Sequence, residues 1–369
     1  MSTSAARPLQ YVLLGDGDSP HLLKWARALS QQDGLQLWAA SSRGFLPGFD
    51  DCVPATRRLA LHTRPRFEGG NVALLRHLPL LTRWLKTTAA DWVHAHYLTS
   101  HGTLAWLAQR WGHAPGRLVG SAWGSDVLVA PQRSVVLRHL TRQVLRACVL
   151  STSDSQVMAR RMRDLGAREV MVFPFGLEAM PDAPQHKDPR LFFANRGLEP
   201  IYAPQRVLAQ FAAVAGAHDR LVVAHTGSLL GSLQQQAAVL GLMGASGGAS
   251  GPQVQFVGHL DAATQAAHYA AARWYLSLPQ SDSVSVSVLE AMAHGCLPLL
   301  SDIPANRELV RDGDNGLIVP NGALLSRATL QALAERAESV SQRNRHWVEQ
   351  HALFEPCVAA FVQRLRALS

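Results

Sequence analysis

Residues 275–300 read YLSLPQSDSVSVSVLEAMAHGCLPLL. Tyr275–Leu278 is a short apolar run of the strand type, and Pro279 ends it. A loop of small polar residues follows, then a helical pattern from near Ser287, then a second apolar run at 297–300. A strand, a helix and a strand in so short a span form a βαβ unit, whose two strands lie parallel.

The same alternation runs outward in both directions. Upstream, strands are expected near 254–257, 221–225 and 191–194, and downstream near 316–318. An earlier series gives strands at Leu9–Leu14, Leu35–Ala40, Trp92–His94, Arg117–Ser121, Cys148–Ser151 and Glu169–Phe173. Helical patterns fill its gaps at about 20–32, 71–88, 100–111, 133–146 and 154–165, and two more close the chain at about 325–339 and 343–367. Between the series, residues 180–189 hold three prolines after Met180 and read as a linker. The expected class is α/β: two Rossmann-like, doubly wound domains. The boundaries are 1–178, linker 179–189, 190–342, and a C-terminal helix 343–369 that packs back on the first domain. A chain of 369 residues is long enough for two such domains.

Composition excludes several classes. With 17% charged and 47% hydrophobic residues the chain can bury a core. No run of about 18 apolar residues marks a membrane-spanning helix, and residues 1–10 lack a secretory signal. Cys52, Cys148, Cys296 and Cys357 form no CxxC pair, so reduced thiols in the cytoplasm are expected. The net charge of +8 is uneven: residues 1–185 hold 21 basic and 13 acidic residues, and residues 186–369 hold 14 of each.

In open parallel sheets ligands bind beyond the carboxyl ends of the strands, so chemistry is sought there. Several motifs fail. Gly15-Asp-Gly17 follows the first strand, but Pro20 stands where a third glycine belongs, and Ser41-Ser-Arg43 offers no acid for a ribose. No Walker A loop exists. Gly244-Ala-Ser-Gly-Gly248 matches a nucleophile elbow by letters alone. His94-Ala-His96 lacks a third ligand, so no metal is expected.

The loop 279–287 is different. Ser283, Ser285 and Ser287 permit close approach of backbone to a ligand, and a helix N-terminus beyond them suits phosphate. Asp282 and Glu290 can bind sugar and ribose hydroxyls. Ser287-x-x-Glu290 equally reads as a capping box that needs no ligand.

With Asn306-Arg-Glu308 and Gly313-Asp-Asn-Gly-Leu317 downstream, LEAMAHGCLP (289–298) resembles the signature of retaining glycosyltransferases of family 4, which have the GT-B fold. The resemblance implies two domains facing a cleft. Glu290 falls on the second glutamate of the family's E-x7-E motif, which binds the ribose, and Asp282 falls on the first, one methylene shorter. Ser285, Val286, Ser287, Val288 and Leu289 then supply the donor-phosphate loop. Arg196 in Phe193-Ala-Asn-Arg-Gly197 aligns with the family's pyrophosphate-binding arginine. The usual lysine partner is replaced by Ile201-Tyr202, leaving Tyr202 to donate one hydrogen bond. His259 in Phe256-Val-Gly-His-Leu260 falls on the loop near the base, and Gly17 on the first loop beside the donor phosphate. Gly120-Ser-Ala-Trp-Gly-Ser-Asp126 resembles the family's H-G-x-D loop, with Trp123 in place of the histidine.

The implied reaction is transfer of a sugar from a nucleotide-sugar donor to a glycan or lipid-linked acceptor in cell-surface polysaccharide synthesis. It proceeds with retention, with no metal and no further cofactor. Asp282, Arg196, Asp126 and His94 are the expected catalytic residues, with His21 and Trp123 on the acceptor side. His21, His94 and Asp126 also read as a turn contact, a core histidine and a helix cap. The alternative function is a non-catalytic nucleotide-sugar-binding subunit of a glycosylation complex. A phosphorylase would need a cofactor lysine, for which Lys187 in the linker is poorly placed. Arg138, Arg142 and Arg146 form one helical stripe, and residues 74–86 mix leucines, a tryptophan and cations. Such surfaces suit an anionic membrane, which predicts a peripheral protein on the inner membrane face. No nucleic-acid recognition module is present.

Overall fold

The computed structural model describes residues 7–63, 72–183, 186–243 and 251–369. The Gly244–Gly248 motif lies outside them, as do residues 184 and 185 of the expected linker. The chain forms two compact units, 1–173 with 354–369, and 174–353.

The first unit is a parallel seven-stranded sheet. Its strands are β1 (Leu9–Gly15), β2 (Leu35–Ser41), β3 (Arg58–Ala60), β4 (Trp92–His96), β5 (Arg117–Ser121), β6 (Leu150–Ser153) and β7 (Val170–Val172), in the order β3-β2-β1-β4-β5-β6-β7. The short β3 was not anticipated. Helices start where a side chain can accept a free N–H: Ser19, Ser134 and Ser155 each cap one. The closing helix Phe354–Leu368 belongs to this unit. Phe354 and Phe361 meet the buried Trp25 edge-on at 5.0 and 5.5 Å, and Arg364 pairs with Glu169 at 2.7 Å.

The second unit is a parallel six-stranded sheet. It contains β8 (Asp188–Ala194), β9 (Arg220–Ala224), β10 (Gln253–Gly258), β11 (Ala272–Ser277), β12 (Leu297–Ser301) and β13 (Leu317–Val319), in the order β10-β9-β8-β11-β12-β13. Side chains alternate across β8, so Phe192 and Ala194 enter one apolar layer and Leu191 and Phe193 the other.

Two expectations are corrected. Residues 179–183 are no free linker: Arg345 donates to the carbonyls of Pro181, Asp182 and Ala293, which fastens the segment to the second unit. The crossing lies earlier, at Phe173, and the backbone then packs on Ala352 so tightly that Gly176 has no room for a Cβ. The closing helical pattern 343–367 is two helices, Ala337–His351 and Phe354–Leu368. Pro356 has no N–H for the Ala352 carbonyl, which instead accepts from Leu177 N at 2.8 Å. The unit boundary falls in this break. Among the described residues no helix is long and apolar enough to cross a membrane.

Candidate active site

In each sheet the chain reverses its direction of winding between two central strands, β1 and β4 or β8 and β11. The crevice at the carboxyl ends of such a pair is where open α/β sheets bind ligands.

In the second unit, β8 delivers Asn195 and Arg196 to that point and β11 delivers the loop with Asp282. Arg196 donates through Nη2 to Asp282 Oδ2 at 2.6 Å, and through Nη1 to Ser285 Oγ and to Ser287 Oγ at 3.2 Å. Its guanidinium lies over the Tyr202 ring, 4.6 Å from the centroid. The tyrosine at the missing lysine's place therefore supports the arginine with its ring face. Burial works against the Arg196 charge, but Asp282 together with Tyr275, Tyr202 and Tyr269 outweighs it and raises the pKa of the group. Burial pushes the Asp282 carboxyl above its ordinary value, against the pull of Arg196 and the Ser283 N–H.

Behind this pair stands a buried polar layer. Asn195 donates to Tyr269 Oη and accepts from Tyr275 Oη, both at 2.7 Å. Tyr269 Oη donates to Glu290 Oε2 at 3.0 Å. Glu290 is thereby fixed by a neighbouring strand and helix. Sequence reasoning missed Asn195 and Tyr269; the position of Asn195 beside Arg196 at a strand end was the available signal.

The capping-box reading is overturned. The helix is Val286–Ala293, its N-cap is Ser285, and no side chain caps it, because Ser285 Oγ is taken by Arg196 and Ser287. The donor roles of Val288 and Leu289 are corrected too. Both side chains are buried, and both N–H groups turn back to the Ser285 carbonyl. The N–H groups of Val286 and Ser287 remain for a ligand. His259 stands two strands away, exposed, its ring stacked on His225 at 5.5 Å. His225 also approaches Gly197, beside Tyr202. A row thus runs along the strand ends from Asp282 through Arg196 and Tyr202 to the two histidines.

In the first unit several expectations are replaced. His94 is wholly buried, and both ring nitrogens are engaged, Nδ1 with Tyr11 Oη at 2.7 Å and Nε2 with Ser121 Oγ at 2.6 Å. Burial lowers its pKa to about 3 and keeps the ring neutral. It is a core histidine with no face for a substrate. Asp126 is also buried. Its two oxygens accept the N–H groups of Leu98 at 2.8 Å and Trp123 at 2.9 Å, so it clamps two loops together. Burial raises its pKa against those bonds. The Gly17 N–H is donated to Ser41 Oγ at 2.8 Å, and a Cβ there would strike Phe45 and Gly44 O, so this glycine serves chain packing.

His21 and Trp123 do come together, with ring centroids 4.8 Å apart, and Trp123 stacks on Tyr97. Trp123 Nε1 donates to His96 Nδ1 at 3.1 Å. Two residues missed by the sequence reasoning join them. Asp16 follows β1, and its Oδ1 accepts from Ser42 Oγ and lies 3.5 Å from His101 Nε2. Burial opposes the Asp16 charge, but His101, Ser42 and Arg43 outweigh it and hold the carboxyl below its usual value. Among the described residues no group of three or more His, Cys, Asp or Glu could hold a metal ion.

Comparison with known proteins agrees with this architecture. Two parallel sheets of 3-2-1-4-5-6 order, the first extended by β7, each with polar groups at its switch point, define a doubly wound α/β protein. Residues 188–338 match the family model described as Glycosyl transferases group 1, and residues 12–155 match the one described as Glycosyl transferase 4-like. Together with the fold these matches identify the chain as a glycosyltransferase of the GT-B type. HepE from Anabaena, solved with UDP and glucose, superposes with a TM-score of 0.75 at 14% identity over 97% of this chain and 100% of its own. Sucrose-phosphate synthase from Thermosynechococcus elongatus gives 0.74 at 14% identity, over 98% and 100%. The lipopolysaccharide outer core galactosyltransferase WaaB gives 0.69 at 14%, over 94% and 97%. At such identities the likeness carries the fold. No curated protein matches the chain by sequence.

Proposed function

We propose that the protein transfers a sugar, with retention and without a metal ion, from a nucleoside-diphosphate sugar to a glycan or lipid-linked acceptor in cell-surface polysaccharide synthesis. The observation that carries this reading is Arg196, held at the β8–β11 switch point by Asp282, Ser285 and Ser287 beside the free N–H groups of Val286 and Ser287. In the proposed reaction a bond forms between the acceptor oxygen and the anomeric carbon. The bond from that carbon to the diphosphate breaks, its electron pair leaves with the phosphate, and a phosphate oxygen takes the acceptor proton. Arg196 and the helix end stabilise the negative charge that develops on the leaving group. Asp282 holds sugar hydroxyls, Glu290 the ribose, and His225 and His259 flank the base.

Thermal-shift titration with UDP, GDP, ADP and CMP tests the donor site, and stabilisation by one nucleotide is expected. Loss of that stabilisation in Arg196→Ala supports the site, and no response to any of the four overturns the reading. NMR of the product from a sugar of defined anomeric configuration tests retention. Donor binding without turnover would favour the non-catalytic subunit.

The first unit supports a membrane-proximal location. Val135 (81% exposed) and Val136 (67%) open the helix Val135–Ala147, and the exposed Arg138, Arg142 and Arg146 continue its surface. Apolar residues beside arginines suit the cytoplasmic face of an anionic bilayer. Co-sedimentation with phosphatidylglycerol vesicles but not with phosphatidylcholine vesicles is the expected result.

A further inference from the structure

We infer that Asp16 binds a hydroxyl group of the acceptor through its Oδ2 atom, and that His101 is the positioning residue that aims it. This rests on the glycosyltransfer reading above and names a residue on the acceptor side of that reaction.

Asp16 follows β1, and His101 sits in the turn after β4, at the switch point of the first sheet. Three groups converge on one carboxylate oxygen. Ser42 Oγ donates to Oδ1, His101 Nε2 is 3.5 Å from it, and Arg43 Nε is 4.0 Å from it. Oδ2 accepts no hydrogen bond from the described residues, and the side chain keeps 11% of its surface open. The protein fixes one oxygen of the carboxylate and leaves the other.

His101 is built for that task. Its Nδ1 lies 2.8 Å from the His96 carbonyl, which can only accept, so Nδ1 carries hydrogen. Its Nε2 is buried, has no hydrogen-bond partner and faces the Asp16 carboxylate. Both nitrogens face acceptors, and the ring, set against Oδ1, ties that side of the carboxylate to the turn after β4.

The free oxygen determines the ligand class. A carboxylate accepts and repels anions, so it selects a hydroxyl in preference to a phosphate. The same network continues through His96 to Trp123, whose indole borders His21 and Tyr97. The ligand expected here is therefore a hydroxyl-bearing acceptor with one hydroxyl on Asp16 Oδ2.

The test compares wild type, Asp16→Asn and His101→Gln in three measurements. These are UDP binding, hydrolysis of UDP-glucose by water, and transfer from UDP-glucose to a pool of 4-nitrophenyl α- and β-glycosides. Asp16→Asn should lower kcat/KM for the glycoside at least tenfold, chiefly through KM, with UDP affinity and hydrolysis within about twofold of wild type. His101→Gln should show the same split with a smaller loss. The inference is overturned by unchanged transfer in Asp16→Asn, by an equal fall in hydrolysis and UDP affinity (the mark of a structural role), or by a wild type that hydrolyses the donor yet glycosylates nothing in the pool. A wild type that binds no nucleotide fails differently: it removes the donor reading, and this inference with it.

Discussion

The two sheets share the order of their first six strands, yet the polar groups at their switch points are chemically opposite. The first unit uses imidazoles: His94 and His96 on β4, and His101 after it, with Tyr11, Ser121 and Thr152 completing a buried chain. The second uses phenols, an amide and a guanidinium–carboxylate pair: Tyr269, Tyr275, Asn195, Arg196 and Asp282. One topology thus carries a layer whose strand imidazoles are held neutral by burial and a layer built around an ion pair. The second kind suits binding a permanent anion, and the first makes the unit sensitive to acid.

The largest expected effect follows from that contrast. His94 has a folded pKa of about 3 against an ordinary 6.5, and His96 is lowered in the same direction by burial. A depressed folded pKa gives stability that is present above 6.5 and lost as pH falls toward the folded value. For a fully buried ring a depression of this size corresponds to roughly 4–5 kcal/mol. In the second unit Asp282 has a raised pKa, so its contribution has the opposite sign and grows as pH falls. Urea unfolding at pH 7, 5.5 and 4, read by hydrogen-exchange pulses at one fixed pH, should show β4 and β5 peptides losing protection at lower urea as pH drops. β8 and β11 peptides should shift less, and equal shifts would erase the distinction.

Arg196→Ala comes next. Removing a positioned donor from a developing negative charge costs about 10²–10³-fold in kcat, and leaving Asp282 unpaired adds a folding cost. We expect at least a 100-fold fall in kcat/KM. Arg196→Lys should recover only part of it, because one ammonium cannot reach Asp282, Ser285 and Ser287 together. Steady-state kinetics with the stabilising nucleotide's sugar checks both.

The same contrast shows where sequence reading stops. Alternation of apolar runs and helical patterns exposed both sheets, since burial on both faces writes itself into contiguous stretches. The helix bearing Glu290 was legible for the same reason. Pairings between distant segments were not. Asp282 and Arg196 are 86 positions apart, and nothing local says that Ser285 will bond the arginine and leave its helix uncapped. His94 misled because a histidine at a strand end looks alike whether its nitrogens meet a ligand or Tyr11 and Ser121. The break at Ala352 was readable in principle from Pro356, four residues on.

A smaller effect is expected at Tyr269. Its hydroxyl accepts from Asn195 and donates to Glu290, so Tyr269→Phe leaves a buried amide hydrogen and a carboxylate each short of a partner. The cost should be about 1–3 kcal/mol of second-unit stability. Because Glu290 loses one of its contacts, nucleotide affinity should also fall several-fold. Urea midpoints together with calorimetric titration separate the two effects, and an unchanged affinity would show that Glu290 is held without Tyr269.

The smallest expected effect is the most discriminating, because it uses one residue type at one position in both units. Ser134 is the N-cap of helix Val135–Ala147, and its Oγ accepts the Leu137 N–H at 3.3 Å. Ser285 is the N-cap of helix Val286–Ala293, but its Oγ serves Arg196. Ser134→Ala should therefore cost about 1 kcal/mol of stability, the usual value of a cap, and leave nucleotide binding untouched. Ser285→Ala should cost less in stability and should weaken nucleotide binding, since one contact orienting the guanidinium is lost. Melting temperature and nucleotide titration on the two variants give a crossed pattern if serine has been diverted from helix to ligand in the second unit. Two variants that behave alike would mean that the Arg196 contact does no more than a cap.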